Sequence, residues 1–294
     1  MTQLAETAFD LQRDLPDLLA VVSRSRGSND PHAFLHPGGS QWLLRWLGRR
    51  PFEVRQWRDG AALAGAIVDD GGYVMLVSAD PSLERCLWLL DRAEEGVRAR
   101  GGVTIEISAF DGDAALLEAI GARTYAPAGT YGDELVRDRL DPSIRPSLPD
   151  GFTMRWLEPE LDNAYVALHR AAWSDTTPST YSRVLHDAVT AMPDFDRRLV
   201  PIVVAPNGTL AAYCISWLDD RTKSVEIEPL GTHPAYRRLG LGRAIVDEVI
   251  RRAAERSATS VLVWGGHSNS VAKHLYESAG CRSRRVLREY RRAL

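Results

Sequence analysis

The chain has 294 residues, 45% of them hydrophobic and 26% charged, with 36 basic against 39 acidic side chains and a net charge of −3. These are the proportions of a globular protein with a real core and room for two ordinary domains. A net charge this small gives no reason to expect nucleic acid as the main partner. No stretch reaches the ~20 apolar residues that cross a bilayer, so no membrane partner is expected either.

The opening MTQLAETAFD carries acids and lacks the apolar run of a secretion signal. The first legible elements are a hairpin over 52–70 and a strand over 72–81 that ends at Asp80-Pro81. A helix over 83–100, a strand over 103–108 and a helix over 114–122 follow. Pro142, Pro146 and Pro149 then prevent a continuous helix, which marks 141–150 as a linker between domains at 1–140 and 151–294.

The second half opens with a strand over 152–157 and a helical pattern over 161–173. A second helix is expected to start at Ser179 or Thr180 and to run past Leu185 and Val189. Asn207-Gly208 splits two apolar runs in 200–220 and predicts a hairpin. A strand over 224–232 ends at His233-Pro234, and a glycine-rich turn leads into a helix carrying Ile245, Val246, Val249, Ile250 and Ala253 at helical spacing. A strand over 261–264 comes next, then a helix from about Ser270 to Ala279 that stops at Gly280.

The first half thus repeats the end of the plan of the second. With Asp80-Pro81 set against His233-Pro234 and Gly121 against Gly280, the first copy is shorter, 40 residues against 46. It has PSLERC (81–86) where the second has RRLGLG (237–242), and Leu117 where the second has Tyr276. The expectation is a scaffold copy without the glycine turn, completing a substrate cleft or covering a sheet edge.

A strand that enters a helix through a glycine turn leaves several backbone N–H groups pointing outward. The helix dipole adds roughly half a positive charge there, a natural seat for phosphate oxygens. Arg237, Arg238 and Arg243 would add cationic reach at the rim. Two familiar phosphate loops do not fit. No Lys-Ser/Thr follows the glycines as a Walker loop needs, and Ile245 stands where a dinucleotide-binding fingerprint needs a third small residue.

The run NSVAKHLYESAGC (269–281) begins 27 residues after Gly242 and reads N-x-x-A-x-x-L-Y-x-x-x-G. The pair of motifs resembles the GNAT superfamily of acyl-CoA-dependent N-acetyltransferases. The motif likeness covers about 224–281, and the likeness in element order about 152–294, more loosely the first half. The resemblance implies an α/β fold of the α+β GNAT type, in which helices flank a mixed, largely antiparallel central sheet, here as two tandem copies with the first degenerate. It implies acetyl-CoA as co-substrate. Its pyrophosphate would lie on Arg237, Arg238, Leu239, Gly240, Leu241, Gly242 and Arg243, with Asn269 and Tyr276 near its pantetheine and thiol. The backbone of Leu230, Gly231 and Thr232 would bond the acetyl carbonyl and the pantetheine amides as an added strand.

Acetyl transfer to an amine needs a neutral amine, a polarised carbonyl and a stabilised thiolate. Glu226 and Glu228 share one face of their strand beside the loop. The resemblance puts a glutamate at 226, making it the preferred base with Glu228 close behind. The alternative is that they are solvated or paired with arginines such as Arg155 or Arg221. Tyr276 is the expected acid toward the thiolate, or else a packing tyrosine, and Asn269 a coenzyme contact, a helix cap or both. The expectation is therefore an enzyme, an N-acetyltransferase acting on a primary amine of a small molecule. The competing readings are a non-catalytic acyl-CoA sensor, an enzyme acting on peptides or proteins, and a nucleotide or phosphosugar binder.

Three further points are expectations of the same kind. Cys86, Cys214 and Cys281 form no CxxC pair, and His169, His186, His233, His267 and His274 are scattered, so no metal is expected. The cysteines read as reduced residues of a cytoplasmic protein. Lys223 and Lys273 are the only lysines beside many arginines, a skew that fits a GC-rich bacterial genome. Monomer and homodimer are equally compatible with the sequence. The C-terminal arginines Arg282, Arg284, Arg285, Arg288, Arg291 and Arg292 read as the wet face of a last strand, with attraction of an acidic acceptor as the alternative.

Overall fold

Twelve strands and eight helices make up the computed structural model, which describes residues 4–27, 35–49, 51–175, 179–266 and 269–294. His267, the first three residues of the opening segment, and positions 176–178 lie outside these residues. The chain forms two compact units, neither of them contiguous. The first comprises Met1–Ser40, Trp46–Asp133 and Arg285–Leu294, and the second Gln41–Arg45 and Glu134–Arg284.

Three elements of the first 51 residues carry no clear sequence signal: β1 (Ala5–Ala8), α1 (Leu11–Gly27) and α2 (Pro37–Leu44). Pro16 stands inside α1 in its second turn, where it has no N–H to give to the carbonyl four residues back. The hairpin β2 (Phe52–Asp59) and β3 (Ala62–Asp70) comes next, then β4 (Tyr73–Ser78), α3 (Leu83–Ala99), β5 (Thr104–Phe110), α4 (Ala114–Ala122) and β6 (Ala126–Asp138). Strands β1 to β4 pair antiparallel in order, and β4 pairs parallel with β5. Helix α3 buries Cys86, Leu89, Leu90, Ala93 and Val97, a stripe at helical spacing, into a core with Ile105, Ile107 and Ile120.

The second unit runs β7 (Thr153–Trp156), α5 (Asp162–Ala172), α6 (Arg183–Thr190), β8 (Pro201–Val204), β9 (Leu210–Asp219) and β10 (Ser224–Thr232). It continues with α7 (Leu241–Glu255), β11 (Ser260–Gly266) and α8 (Ser270–Ser278), and the chain ends with β12 (Arg282–Ala293). Strands β7 to β10 are antiparallel neighbours, and β10 and β11 are parallel. Each unit thus carries a mixed, largely antiparallel sheet flanked by helices. Its closing strand comes from the other half of the chain. Strand β12 pairs with β5 from Leu287 opposite Phe110 to Ala293 opposite Thr104. The far end of β6 belongs to the second unit, where Leu135 is fully buried in the core and Arg137 donates to the Ala279 carbonyl.

Two sequence expectations change. Helix α6 begins at Arg183, capped by the Ser182 hydroxyl, which accepts from the Leu185 amide, instead of starting at Ser179 or Thr180. The second concerns the match between the two copies. Asp113 caps α4 and Asn269 caps α8 through the same contact, a side-chain oxygen accepting from the amide three residues on. From those caps the counterpart of Gly280 is Thr124, both left-handed at φ 89° and 56°. Gly121 is an ordinary helical residue inside α4. Measured to Thr124, the first copy runs 43 residues from Pro81 against 46 from Pro234 to Gly280. The counterpart of Tyr276 becomes Ile120, not Leu117, and still offers no hydroxyl.

Candidate active site

Strand β10 parts from β11 halfway along. The parallel ladder runs only from Ser224 opposite Ser260 to Glu226 opposite Leu262, although β10 continues to Thr232 and β11 to Gly266. The cause lies in the sequence of β10. Pro229 has no N–H to give a ladder. Against β9 the register steps from Ile227 opposite Ser216 to Leu230 opposite Cys214, so Glu228 and Pro229 together face Ile215. This is a β-bulge, which bends its strand and re-aims a side chain. A proline in a central strand is the sequence signal for it, and it lies outside both motifs.

Glu226 and Glu228 straddle the fork. Glu226 lies inside the ladder, 1% exposed, opposite Trp217 on β9 and Leu262 on β11. Arg155, expected as a possible partner, pairs instead with Glu158. Glu228 is half-buried in the bulge. Burial pushes its carboxyl up to about 7; the Glu226 charge adds to the rise and Arg45, just past α2, opposes it. The same carboxylate bears electrostatically on Tyr213 and Cys214 of β9 and on Tyr276 of α8. Its main-chain oxygen accepts from the Trp217 indole at 2.8 Å.

Tyr276 packs its ring into the core with Ala279 and Cys281. Burial raises its phenol well above the ordinary value, and Cys214 and Glu228 add to the rise. Among the described residues no hydrogen bond uses its hydroxyl. A neutral phenol at every working pH is a hydrogen-bond donor, not a base.

At the far end of β10 the strand reaches Leu230, Gly231 and Thr232, still paired with β9. Gly231 is required for packing: a Cβ there would stand 2.6 Å from the Tyr213 ring and 2.9 Å from Ala172. His233 caps the short turn Pro234–Tyr236 by accepting from the Ala235 amide. The chain then enters α7 through Arg238 at φ 66° and Gly240 at φ 81°. Gly240 is the N-cap of α7 and has no side chain to fill that role. Among the described residues, the amides of Arg238, Leu239, Gly240, Leu241, Gly242 and Arg243 donate no hydrogen bond. The space beside Gly240 is open, since an added Cβ would meet nothing within 4 Å. Unspent amides at a helix N-terminus form a cradle for an anion. Gly242 has a second duty, because a Cβ there would press on Leu275 at 3.2 Å.

The arginines of the loop divide the work. Arg237 is engaged within the fold, donating to the Asp175 carboxylate and to the carbonyls of Ala172 and Thr232, which ties the loop to the end of α5. Arg243 bonds Asp247 and the Ser278 carbonyl, joining α7 to α8. Arg238 is exposed and has no such tie among the described residues. Asn269 caps α8, accepting from the Ala272 amide at 3.0 Å.

The face of the sheet that carries Gly231 and Tyr213 packs on α5, and aromatic residues cluster there. His169 stacks on Tyr181 at 4.0 Å, Trp42 lies near both, and Trp173 donates to the Tyr213 hydroxyl at 3.0 Å. Burial drives His169 down to about 3, so it is neutral near pH 7. Of the C-terminal arginines, Arg284 pairs with Asp138, Arg291 with Glu106 and Arg292 with Glu94. No group of metal-binding side chains is found among the described residues, and no helix there is long and apolar enough to cross a membrane.

Residues 160–281 match the model of the acetyltransferase (GNAT) family. This region is a GNAT acetyltransferase domain. A mycothiol acetyltransferase of Kineococcus radiotolerans is 36% identical over 138 residues, 46% of this chain and 44% of that protein. A [ribosomal protein bS18]-alanine N-acetyltransferase of Escherichia coli is 30% identical over 95 residues, 32% of this chain and 62% of that one. The chain spans about half the length of the mycothiol acetyltransferases it matches. Among solved structures, a tandem GNAT protein from the clavulanic acid biosynthesis pathway aligns at a TM-score of 0.69 and 15% identity, over 99% of this chain and 98% of that one. A GCN5-related N-acetyltransferase from Sphaerobacter thermophilus aligns at 0.64 and 18%, over 100% and 96%. At these identities the structures speak for the fold, and they extend the GNAT fold over both halves.

The first half has a similar fork, since β4 pairs with β5 only at Tyr73 and Val74. Its helix start differs. Ser82 caps α3, accepting from the Arg85 amide, while Asp80 accepts from both the amide and the hydroxyl of Ser82. A carboxylate of the chain itself sits where α7 leaves room for an anion.

Proposed function

We propose that the second unit is an acetyl-CoA-dependent N-acetyltransferase acting on a primary amine of a small molecule, and that the first half, about 1–140, is a degenerate, non-catalytic GNAT-like domain. In this division 141–150 is a linker and 151–294 holds the catalytic groups. The observation that carries the reading is the fork between β10 and β11, where the half-buried Glu228 carboxyl, raised by burial and by Glu226, bears on the neutral phenol of Tyr276.

Acetyl-CoA supplies the thioester. The amides of Arg238 to Arg243 would hold its diphosphate with Arg238 as the cation at the rim, and Asn269 would meet the coenzyme from the start of α8. The backbone of Leu230 to Thr232 would bond its pantetheine arm and acetyl carbonyl as an added strand. Glu228 takes the proton from the attacking ammonium, directly or through a water, and Glu226 keeps its carboxyl basic enough to do so. Glu228 is favoured over Glu226 as the base because its carboxyl is raised and bears on Tyr276, whereas Glu226 is fully buried inside the ladder. Tyr276 donates to the departing sulfur. No nucleophilic intermediate is needed, since Cys214 is fully buried with its thiol pushed far up.

A peptide N-terminus is the second acceptor reading, favoured by the likeness to the alanine N-acetyltransferase. Thioester consumption with a panel of small amines and of short peptides separates the two. Absence of turnover with every amine and peptide, together with tight coenzyme A binding, would leave an acyl-CoA sensor. Thermal stabilisation by ATP or NAD in place of acetyl-CoA would refute the cradle assignment.

A further inference from the structure

The bulge that aims Glu228 is not held by the ladder. Glu228 and Pro229 share a single partner residue on β9, and Pro229 has no N–H to give. The Glu228 carbonyl is bound instead by a side chain, the Trp217 indole N–H at 2.8 Å. Trp217 stands opposite Glu226, so its ring reaches along the strand past one carboxylate to hold the backbone of the other. The indole is 1% exposed, and the Phe195 ring meets it edge-on at 5.9 Å, so its direction is fixed. The bond sits where β10 leaves β11, since the last parallel pair is Glu226 with Leu262.

Resting on the acetyltransferase reading, we propose that Trp217 is a positioning residue for acyl transfer: by holding the Glu228 carbonyl, it maintains the bulge and the strand separation that direct the Glu228 carboxylate into the cleft. A buried carbonyl robbed of its donor seeks another partner, and the nearest are the amides of the neighbouring strands. Re-pairing would turn Glu228 and narrow the fork. The groups facing Glu228 are Glu226 on its own strand, Tyr213 and Cys214 on β9, Tyr276 on α8 and Arg45 beyond α2. None of them replaces the indole as a donor to the main chain.

The test compares Trp217→Phe with a protein carrying benzothienylalanine at position 217, an isostere of tryptophan without the N–H. Glu228→Gln runs beside them on the best amine found. Both Trp217 replacements are expected to fold and to bind acetyl-CoA within about twofold of the wild type. Their kcat should fall on the order of ten- to a hundredfold, as misplacement of a reacting group does. The acid limb of their kcat/KM profile should move to lower pH as Glu228 gains water. Wild-type kcat and an unmoved limb with the isostere overturn the proposal, even if Trp217→Phe fails to fold. If Glu228→Gln is inactive in that case, the acetyltransferase reading stands and only the positioning role falls. If Glu228→Gln turns over normally, the base assignment itself is wrong.

Discussion

Replacing Glu228 by Gln should make the protein less active and more stable, with the gain in stability dependent on pH. The carboxyl is held near 7 in the folded chain against an ordinary value near 4.5. Between those values the folded state keeps a proton that the unfolded state has lost. Stability therefore falls as pH rises through this window and is flat above it. A tenfold change in proton affinity is worth about 1.4 kcal/mol, so the full penalty of keeping the carboxylate buried above pH 7 is about 3 kcal/mol. Gln has the same shape and no charge, and it escapes the penalty.

Urea unfolding of both proteins at pH 5 and pH 8.5 measures this directly. The difference between them should be larger at pH 8.5 by about 2 to 3 kcal/mol, because comparing the two pH values cancels any constant effect of the amide. In the same variant kcat should fall by about 10² to 10⁴, the usual contribution of a general base. A stability difference that ignores pH would mean that Glu228 titrates normally and that the fork does not poise it. Retained turnover would return the role of base to Glu226 or to solvent.

Tyr276→Phe should bind acetyl-CoA as the wild type does, by calorimetry, with kcat lower by roughly 10²-fold; equal kcat would reduce the tyrosine to packing. Gly240→Val puts a β-branched residue at φ 81° and should cost about 1 to 3 kcal/mol of stability and weaken acetyl-CoA binding, whereas intact binding would remove the loop from the cradle. Calorimetry should give one acetyl-CoA per chain, since the Asp80 carboxylate occupies the start of α3 and would repel a second diphosphate; a stoichiometry of two would contradict that argument. A fragment restricted to 151–294 should aggregate or melt far below the full chain, because it lacks Leu135 in its core and leaves β12 without β5. A fragment that gives a sharp, wild-type-like transition would show those strands to be dispensable.

The elements were legible wherever one signal controlled them. Asn207-Gly208 gives the turn of the β8–β9 hairpin and Gly280 the end of α8, because each supplies a backbone conformation few residues tolerate. The strand and helix around the glycine loop follow from apolar spacing. What could not be read was tertiary. Nothing local says that β12 joins β5, since strand pairing depends on partners more than 170 residues apart. Nor does spacing say that Arg237 and Arg243, which look like phosphate ligands, spend their charge on Asp175 and Asp247. Pairing the two copies by their glycines also misled, because Thr124 performs the left-handed turn that Gly280 performs in the other half.

The two halves share a frame and differ at one helix start. Both carry a parallel strand pair that forks after two or three residues and a helix that starts beside the fork. At α3 Asp80 binds the Ser82 amide and Ser82 the Arg85 amide, so the negative charge favoured there is built in. At α7 the cap is Gly240, six residues after Pro234 where Ser82 follows Pro81 directly, and the amides from Arg238 onward are left without acceptors among the described residues. A helix start exposed in this way is tolerated only if water or a ligand completes it. An open helix start and a poised carboxylate occur in the same unit, and the other has neither, because Val74 and Leu76 stand on β4 where Glu226 and Glu228 stand on β10. On the proposed reading, loss of one feature without the other would leave a cradle with no base or a base with no donor.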